Sequence, residues 1–426
     1  DSFIGSYDGN GYSIHYLFIN RLNEQRQGLF GNVRFALLKN ITLVQADVLS
    51  AGYTGILVGS LGSSTVENCS TSGGVTASDS FAGGLVGYAS FSLLSNSSSN
   101  CVVNGGSYTG GLSGQLFSAV VDNCYTEGSV TGNNSVGGLI GRANVYSHTN
   151  HSNSSSSVSG NNRVGGLIGD NSISILINSY SNGVVNGVED SIGGLVGLNE
   201  DSLIHNCYSR SSVSGYRYVG GLVGYNSYHS HSPIIEYSYS TGQVSGTIAA
   251  GGLVGVSNAG SLIRDSYWNT DTSGTTYSSG GEGRTTTDMT WPYDVNTFIS
   301  WDFTYAWVED QEHENNDGYP YLDFNTDLLF VGGVGTEDEP FLIDRSANLK
   351  NIRYFLSRTN SDKHFKLVAD IDFTTSSRNQ GEKWVSLGAT RINSFQGCFD
   401  GNGHTITGLY IDEPGYEYQG LFGYAE

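Results

Sequence analysis

Carboxylates are the most numerous residues of this chain that could hold a ligand. Twelve Asp and Glu residues, with no Lys or Arg among them, lie in residues 302–344. Carboxylate oxygens bind Ca²⁺, and Asp310 and Asp317 are the candidate ligands in this run. Two further candidates, Asp8 and Asp400, each begin an Asp-Gly-Asn-Gly tetrapeptide. Tight turns with Asx hydrogen bonds and a solvated acidic loop explain the same residues without a metal, so both interpretations stay open.

Two histidine pairs could also bind a metal ion, His148 with His151 and His229 with His231. Residues two apart share one face of a strand, so His229 and His231 could face the same ion. Because no Cys, Asp or third His is placed to complete either set, exposed loop histidines are the preferred interpretation. No cofactor is therefore expected, apart from Ca²⁺ at the carboxylates named above.

Enzymatic chemistry on polysaccharides would need acid and base groups gathered from neighbouring turns of the chain onto one face. The residues that follow copies of the most regular glycine-rich block include Arg142, Asp170, Tyr225 and Val256, which do not form a carboxylate cluster. The chain has five lysines and no His-Glu-x-x-His zinc motif. An enzyme is therefore the least favoured function.

The elements that position these residues are indicated by a short block that recurs along the chain. It reads Gly-Gly-Leu-Val-Gly at residues 83–87, and it occurs nine times with small variations. Its leucines follow one another at steps of 27 or 28 residues with one step of 31, and they are Leu29, Leu57, Leu85, Leu112, Leu139, Leu167, Leu195, Leu222 and Leu253. Extra residues in the long step fall in the polar stretch 228–233, as a stack of coils permits.

Each repeat predicts one coil of about 28 residues, with two or three short strands bounded by Gly or Asn turns. A single coil cannot bury its apolar face, whereas stacking places the leucines from Leu57 to Leu253 over one another at about 4.8 Å. The sequence therefore predicts an all-β fold, a parallel β-solenoid or β-helix, wound right-handed as parallel crossovers are. Of the paired glycines, one is expected to turn a corner with φ > 0 and the other to admit a neighbouring backbone.

Fixed positions within the coil predict columns of like residues along the stack. Asn amides are expected to bond to one another up the axis at Asn68, Asn96, Asn123, Asn178 and Asn206. Cys69, Cys124 and Cys207 share a slot with Ser179 and are separated by two coils or more, beyond disulfide reach. They are expected to be small buried thiols.

A column of tyrosines follows the Cys/Ser slot, at Tyr125, Tyr180, Tyr208, Tyr239 and Tyr267. An exposed ladder of tyrosines can bind glycans or a neighbouring rod. A ladder that packs on itself can instead shield the sheet beneath it. The sequence does not decide between these interpretations.

The glycine-rich blocks resemble the GLUG motif of large bacterial secreted and surface proteins, which include adhesin-like proteins and the non-catalytic region of some immunoglobulin A peptidases. The resemblance covers about residues 28–270. It implies a scaffold rather than a catalytic domain, and an extracellular location at a bacterial cell surface. In that family a segment similar to the one from residue 331 onward precedes the repeats.

The two ends of the chain match each other at a constant offset of 392 residues. Phe3–Gly11 recurs as Phe395–Gly403, and Gln27–Gly31 recurs as Gln419–Gly423. The chain is interpreted as a window on a tandem array of modules of about 392 residues, the first of which starts upstream of residue 1. Its expected parts are the solenoid in 1–272, an aromatic and acidic closing segment in 273–330, and the N-terminal cap and first coils of the next module in 331–426.

The segments outside the repeats have their own predicted structure. Aromatic residues between positions 301 and 322 are expected to cover the open solenoid end, since uncovered edge strands invite aggregation. Residues 270–290 are expected to form a loop. One short capping helix is predicted near residues 346–358, N-capped by Ser346, and strands are predicted over 365–373 and 384–387.

Composition limits the partners. The net charge of −21 argues against nucleic acid and anionic membranes, and no apolar run is long enough to insert into a membrane. The sequence predicts a non-catalytic structural repeat protein, part of an extracellular stalk, fibre or sheath whose partners are neighbouring modules or copies of itself, end to end or side by side. The alternative is an adhesin module that binds glycans or surface proteins of host or neighbouring cells, and a polysaccharide-active enzyme comes last.

Overall fold

The chain forms two compact units. A computed structural model describes residues 2–303, 306–322, 330–333, 335–338, 340–356, 363–373, 384, 386–388, 394–411 and 418–425. The first unit comprises residues 1–301 and 309–320, and the second comprises 302–308 and 321–426. The predicted closing segment, 273–330, is therefore divided between the two units rather than forming a part of its own.

The first unit is a parallel β-solenoid of about 12 turns, which confirms the predicted all-β fold. Strands of one coil pair in parallel with strands one coil further along, so that Val86 lies between Val58 and Ser113. These register partners are 28 and 27 residues apart, the period seen in the sequence. The right-handed winding stays a prediction.

The strands of the first unit fall into four groups around each coil. Three strands of the first coil precede these groups along the chain, namely β1 (Phe3–Asp8), β2 (Ser13–His15) and β3 (Phe18–Gln27). The strands that begin at the glycine-rich block are Phe30–Lys39, Val58–Gly62, Val86–Ser90, Ser113–Phe117, Ile140–Asn144, Ile168–Ser172, Val196–Glu200, Val223–Ser227 and Val254–Ser257. The next group is Thr65–Glu67, Leu93–Ser95, Val120–Asp122, His148–Asn150, Ile175–Ser181, Leu203–Ser209, Ile234–Glu236 and Leu262–Arg264.

The third group is Thr42–Thr54, Ser70–Ala77, Ser98–Asn104, Tyr125–Thr131, Asn153–Ser154, Ser157–Gly160, Val184–Gly187, Ser212–Gly220, Tyr239–Ser240, Val244–Gly251, Tyr267–Asn269 and Glu282–Arg284. Short strands that lead into the paired glycines form the fourth group, at Ala82–Gly83, Thr109–Gly110, Asn134–Gly137, Asn162–Gly165 and Asp190–Gly193.

The interior of the solenoid is filled by columns of inward-facing side chains. In the strand Ser98–Asn104, Ser99, Cys101 and Val103 are buried and alternate with exposed neighbours, because successive strand residues point to opposite faces. The predicted structural positions are all buried completely, at Leu57, Leu85, Leu112, Leu139, Leu167, Leu195, Leu222 and Leu253. Stacked coils therefore share one continuous apolar core.

The paired glycines do not turn a corner, so that part of the expectation is wrong. At the block of residues 137–141, the positive φ belongs to Ser135, at 54°. A Cβ added to Gly137 would lie 2.0 Å from the carbonyl oxygen of Ile140, and one added to Gly138 would lie 2.1 Å from that of Gly166. Both glycines are therefore required for close backbone approach.

The C-terminal end of the solenoid is covered by the Ser-, Thr- and Gly-rich stretch rather than by the aromatic segment, contrary to expectation. The backbone N–H of Gly252 donates to the carbonyl of Tyr277 at 2.8 Å, and that of Ser279 donates to Val254 at 2.9 Å. The strand Glu282–Arg284 then pairs with the last regular coil. Backbone groups of the final coil are thus satisfied by a loop that needs no apolar side chains.

Two short helices lie where the sequence predicts a loop, α1 (Thr270–Ser273) and α2 (Thr286–Met289). The side chain of Asn269 caps α1, and Thr285 forms a capping box with Asp288 on α2. Helices of four residues carry no apolar periodicity, so these caps were the only sequence signal for them.

In the described residues of the second unit, the structure shows small sheets, one α-helix and a 3₁₀ turn. Trp307–Val308 pairs antiparallel with Tyr321–Leu322, Ile371–Asp372 pairs parallel with Ile406–Thr407, and a parallel sheet contains Phe341–Ile343, His364–Leu367 and Cys398–Asp400. The predicted strand 365–373 is thus divided into two. Of the predicted strand 384–387, Leu387 makes an isolated bridge with Phe422, and residue 385 lies outside the described residues.

The predicted capping helix is present but shorter and begins differently. Helix α3 covers Ser346–Asn351 and continues as a 3₁₀ turn at Ile352–Phe355. Arg345 occupies the N-cap position without a side-chain hydrogen bond, so Ser346 is the first helical residue rather than the cap. Residues 357–358 lie outside the described residues.

Candidate functional site

Amides of the outer Asn column bond between neighbouring coils at some steps of the predicted ladder. Asn68 donates to Asn40 at 2.7 Å, and Asn123 donates to Asn96 at 2.8 Å. The φ angles of this column lie between 45° and 51°, at Asn68, Asn96, Asn123, Asn178 and Asn206. Asn tolerates this left-handed conformation better than most residues, so the column marks a corner as well as linking the coils.

His151 occupies the same corner in one coil, with a φ of 43°. Its Nδ1 lies 2.6 Å from the amide nitrogen of Asn150, and its Nε2 lies 3.4 Å from that of Asn178. His148 belongs to the strand His148–Asn150, and burial lowers its pKa to about 4. The expectation of exposed loop histidines is therefore wrong for this pair, whereas His229 and His231 are exposed.

A second amide ladder inside the solenoid was missed at the sequence level. Asn171 donates to Asn199 at 2.9 Å, and Asn199 donates to Asn226 at 2.8 Å. All three residues are fully buried. In earlier coils the same position holds Leu116 and Ala143, so periodicity alone indicated an apolar slot.

The Cys/Ser slot is buried and links neighbouring coils. The Cys124 N–H donates to the Ser152 hydroxyl, and the Ser152 N–H donates to that of Ser179, both at 3.1 Å. Burial raises the pKa of Cys69 to about 11 and those of Cys124 and Cys207 to about 12. These thiols are free and remain protonated, as buried structural thiols do.

The tyrosine column stacks as predicted at Tyr180, Tyr208 and Tyr239. Tyr180 and Tyr208 have ring centroids 4.7 Å apart, and Tyr208 and Tyr239 have centroids 5.1 Å apart, with the planes of each pair within 6° of parallel. Tyr125 is separated from this stack because Asn153 lies between it and Tyr180 in the register.

The same column is largely covered, which favours the shielding interpretation for its buried members. Tyr208, Tyr239 and Tyr267 are buried, Tyr180 is half-buried, and Tyr125 is exposed. Trp301 and Tyr319, which were predicted to close the solenoid end, lie here instead, together with Phe298. Burial raises the pKa values of Tyr208 and Tyr239 well above the ordinary value, so both phenols stay protonated. The shielding interpretation therefore holds for Tyr208, Tyr239 and Tyr267.

The calcium candidates Asp310 and Asp317 fix the loop of residues 310–320, which lies over the tyrosine column. The Asp310 carboxylate accepts from the backbone N–H of Asn316 at 2.7 Å and of Gly318 at 2.8 Å, and also from Glu314 and Asn315. Burial alone would raise the pKa of Asp310, but the backbone N–H groups lower it below its usual value. Asp317 pairs with Arg210, whose Nη1 donates to Asn316 at 2.8 Å.

The other two calcium candidates stand in matching turns. Asp8 accepts from the Asn10 N–H at 2.8 Å, and Asp400 accepts from the Asn402 N–H at 2.8 Å, as Asx turns do. A different lysine lies beside each carboxylate, Lys39 with its Nζ 3.5 Å from Asp8 and Lys366 with its Nζ 3.6 Å from Asp400. Hydrogen bonds lower the pKa of Asp8, and the bond from the Asn40 amide has a larger effect than the bond from the Asn10 N–H. Among the residues that the structure describes, no three His, Cys, Asp or Glu side chains form a candidate metal site.

One further carboxylate, Asp170, is fully buried and paired. Its Oδ2 lies 2.7 Å from Arg163 Nη1 and 3.5 Å from Arg142 Nε. The Ser172 hydroxyl donates to the other oxygen. Two guanidinium groups therefore neutralise one carboxylate, an arrangement that links two coils.

Half-buried aromatic rings form an aromatic ridge along another corner, consisting of Tyr53, Phe81, Tyr88 and Tyr108. Neighbouring rings lie 4.4 Å apart for Tyr53 and Phe81 and 5.3 Å apart for Phe81 and Tyr108. Arg26 lies over the Tyr53 ring at 5.3 Å, and an arginine lies over Tyr108 at 5.7 Å. The ridge was missed, although an aromatic residue two positions before the first glycine of the glycine-rich block in successive coils was its signal.

Comparisons with known proteins agree with the repeat. The family model described as the GLUG motif matches residues 190–214 and 215–245. A candidate Gly-rich membrane protein of Evansella cellulosilytica is 41% identical over 95 residues, which are 22% of this chain and 10% of that protein. Halomucin of Haloquadratum walsbyi is 38% identical over 96 residues, which are 21% of this chain and 1% of that protein. The chain thus spans a tenth or less of these curated relatives.

A solved structure of a candidate immunoglobulin A1 protease from Bacteroides ovatus is also similar. The similarity covers 74% of this chain and 76% of the solved chain, with 16% identity and a TM-score of 0.28.

None of the described helices of the present chain is long and apolar enough to cross a membrane.

Proposed function

Since the chain carries GLUG repeats wound into a parallel β-solenoid, we propose that it is a non-catalytic structural segment of a cell-surface protein. In this proposal, solenoid modules follow one another in tandem and form an extracellular stalk, fibre or sheath. A relative named as a Gly-rich membrane protein supports a location at the cell surface.

The observation that carries the proposal is that the first coil occurs twice with the same local structure. Phe3 and Phe30 have ring centroids 4.9 Å apart, and their equivalents at the offset of 392, Phe395 and Phe422, have centroids 4.5 Å apart. Tyr7 meets Phe30 edge to face at 5.6 Å, and Phe399 meets Phe422 edge to face at 5.3 Å. A second first coil within one chain is what a tandem array of modules requires.

A structural role is also supported by what fills the solenoid. Its inward-facing columns hold apolar, hydroxyl, thiol and amide side chains. About 12 turns at about 4.8 Å each span about 58 Å. Such a rod supplies length and stiffness.

Electron microscopy of the native protein, with immunogold labelling of intact cells by an antibody against the solenoid, tests the proposal. Elongated particles and labelling at the outer surface are the expected results. Compact particles, or label only in broken cells, would contradict it.

A second candidate function, glycan binding, is favoured by the aromatic ridge. Half-buried rings offer apolar surface against which sugar rings can pack, and Arg26 at one end can donate to hydroxyl groups. A glycan array probed with the full chain and with a Tyr88→Ala variant tests it. Binding that this variant loses, and that a Tyr125→Ala variant at an exposed site off the ridge retains, would support the candidate, and a blank array would count against it.

A further inference from the structure

The N-terminal edge of the solenoid, formed by β1, β2 and β3, is an unpaired parallel edge. Among the described residues, β1 pairs with the strand Phe30–Lys39 alone, and β2 and β3 pair with Thr42–Thr54 alone. Large apolar side chains are exposed along it, including Tyr12 at 76% and Tyr16 at 73%. Unpaired strand edges with apolar side chains are templates for another strand. The opposite end of the solenoid differs, because residues 277–284 cover it.

The second unit shows the equivalent edge with a strand seated on it. Cys398–Asp400 corresponds to Ser6–Asp8 of β1 at the offset of 392, and it pairs in parallel with His364–Leu367. The backbone N–H of Cys398 donates to the Lys363 carbonyl at 2.8 Å.

The pairing continues beyond this first strand. Ile406, the equivalent of Ile14 in β2, lies opposite Ile371. Phe422, the equivalent of Phe30, lies opposite Leu387. Three successive stretches of the repeated coil are therefore met in order by residues of the preceding segment.

An apolar side chain is more buried at the edge of the second unit, which carries the additional strand, than at the equivalent place on the β1–β3 edge. Phe395 is buried, and the ring of Phe365 lies 6.0 Å from it. Its equivalent Phe3 is only half-buried. Lys366 places its Nζ 3.6 Å from Asp400, so the cover also adds an ion pair to the repeated turn.

We propose that the β1–β3 edge is a docking site for a segment with the sequence of residues 340–388, supplied by a preceding module. The inference rests on the proposed tandem array and assigns its joint. In the docked register, His364 of that segment lies opposite Ser6, Lys366 lies opposite Asp8, and Ile371 lies opposite Ile14. The strand ladder then continues from one module into the next.

Disulfide trapping in an extended chain tests this register. A second copy of residues 331–392 is added directly before residue 1 of the full chain, which restores the natural junction of the offset. Cys398→Ser removes the exposed thiol. The added copy carries His364→Cys, and the chain carries Ser6→Cys. Directly opposed residues of paired strands lie within disulfide reach, and residues two positions out of register do not.

Two matched proteins complete the experiment. The first is the unextended chain with His364→Cys and its natural Cys398, which reports that this register position can cross-link. The second repeats the extended chain with Lys366→Cys in place of His364→Cys in the added copy. We expect the in-register pair to oxidise at least about tenfold faster than the out-of-register pair, as peptide mapping under non-reducing conditions would show.

Equal rates for the two extended chains, with cross-linking in the unextended chain, would overturn the proposal. An added copy that stays unfolded gives this same result and overturns it equally, because the edge is then not its docking site. Particle shape in the microscope is independent of this outcome. Elongated native particles without trapping would leave the proposed function standing and remove only this joint, whereas compact particles with trapping would do the reverse.

Discussion

The hydroxyl of Tyr239 donates a hydrogen bond of 2.7 Å to the backbone carbonyl of Pro320, 81 positions further along the chain. The amide of Asn316 lies 2.7 Å from the same hydroxyl and 2.9 Å from the same carbonyl. These buried bonds fix residues 316–320 onto the tyrosine column. The loop held by Asp310 therefore packs on the solenoid instead of forming a solvated acidic loop.

Tyr239→Phe is expected to lower the free energy of unfolding of the first unit by about 1 to 3 kcal/mol. The substitution keeps the ring stack but leaves the Asn316 amide and the Pro320 carbonyl without this buried partner. Thermal and urea unfolding measure the change. Tyr125→Phe, at an exposed tyrosine of the same column, is the matched control and should change little. Equal effects of the two substitutions would contradict this account of the cover.

Gly138→Ala is expected to destabilise the solenoid by about 1 to 3 kcal/mol or more, since its Cβ would lie 2.1 Å from the backbone oxygen of Gly166. Gly62→Ala is the control, because the nearest atom to its Cβ would be a side-chain carbon of Arg34 at 3.6 Å. That substitution should stay within about 0.5 kcal/mol. Urea unfolding compares the two variants, and a tolerated Gly138→Ala would refute the close-approach role of the paired glycines.

The sequence predicted the parts of the fold that repeat at short range. Periodic leucines such as Leu167 and Leu195 indicate stacking directly, because each coil repeats the same pattern. Corner asparagines such as Asn68 and Asn96 could be recognised for the same reason. The role of the paired glycines was misjudged because φ depends on the path of the backbone, and Ser135 takes the positive φ in that coil.

Contacts between distant segments could not be predicted from the repeat. Burial of Tyr239 depends on Trp301 and Tyr319, which lie outside the repeats and share no period with them. The aromatic ridge was missed for another reason. The rings of Tyr53 and Phe81 lie side by side at a corner between strands, and the path of the backbone at that corner is not evident from the sequence.

Cys398 is expected to be the one rapidly reacting thiol of the five in the folded chain. It is exposed, whereas burial raises the pKa of Cys124 and Cys207 to about 12 and keeps those groups protonated. The thiolate is the reactive form. Titration with a disulfide reagent should give one fast equivalent per chain, none in Cys398→Ser, and five after unfolding. A second fast equivalent in the folded chain would contradict the burial of the Cys/Ser slot.

Stability is expected to fall as the pH drops from about 6.5 toward about 4 because of His148. Burial lowers its pKa to about 4 in the folded chain, below the ordinary value of 6.5. The unfolded chain therefore takes up a proton across this window while the folded chain does not. Linkage then favours the unfolded state by up to about 3 kcal/mol at the acidic end.

His148→Val tests the origin of this pH dependence, because Val120 fills the same position one coil earlier. Urea midpoints at pH 7 and pH 5 should differ less for the variant than for the natural chain. Other groups titrate in the same window in both proteins, so the difference between the two pH profiles is the quantity to compare. Identical profiles would show that His148 does not contribute.

The three residues of the buried amide ladder are expected to contribute jointly to the free energy of unfolding. Asn199 accepts from Asn171 and donates to Asn226, so Asn199→Ala leaves a buried donor and a buried acceptor without these partners and opens a cavity. A loss of about 2 to 4 kcal/mol is expected. The exposed Asn182→Ala should stay within about 0.5 kcal/mol.

Replacing all three residues of the ladder by Ala should cost less than the sum of the three single substitutions. Each single change strands the amides that remain, whereas the triple change removes them together, and residues in one network are not additive. Ala143 and Leu116 show that this position accepts apolar side chains in neighbouring coils. Urea unfolding of the three single variants and the triple variant measures the coupling. Additive costs would mean that each amide is held by its own coil and that the ladder does not link one coil to the next.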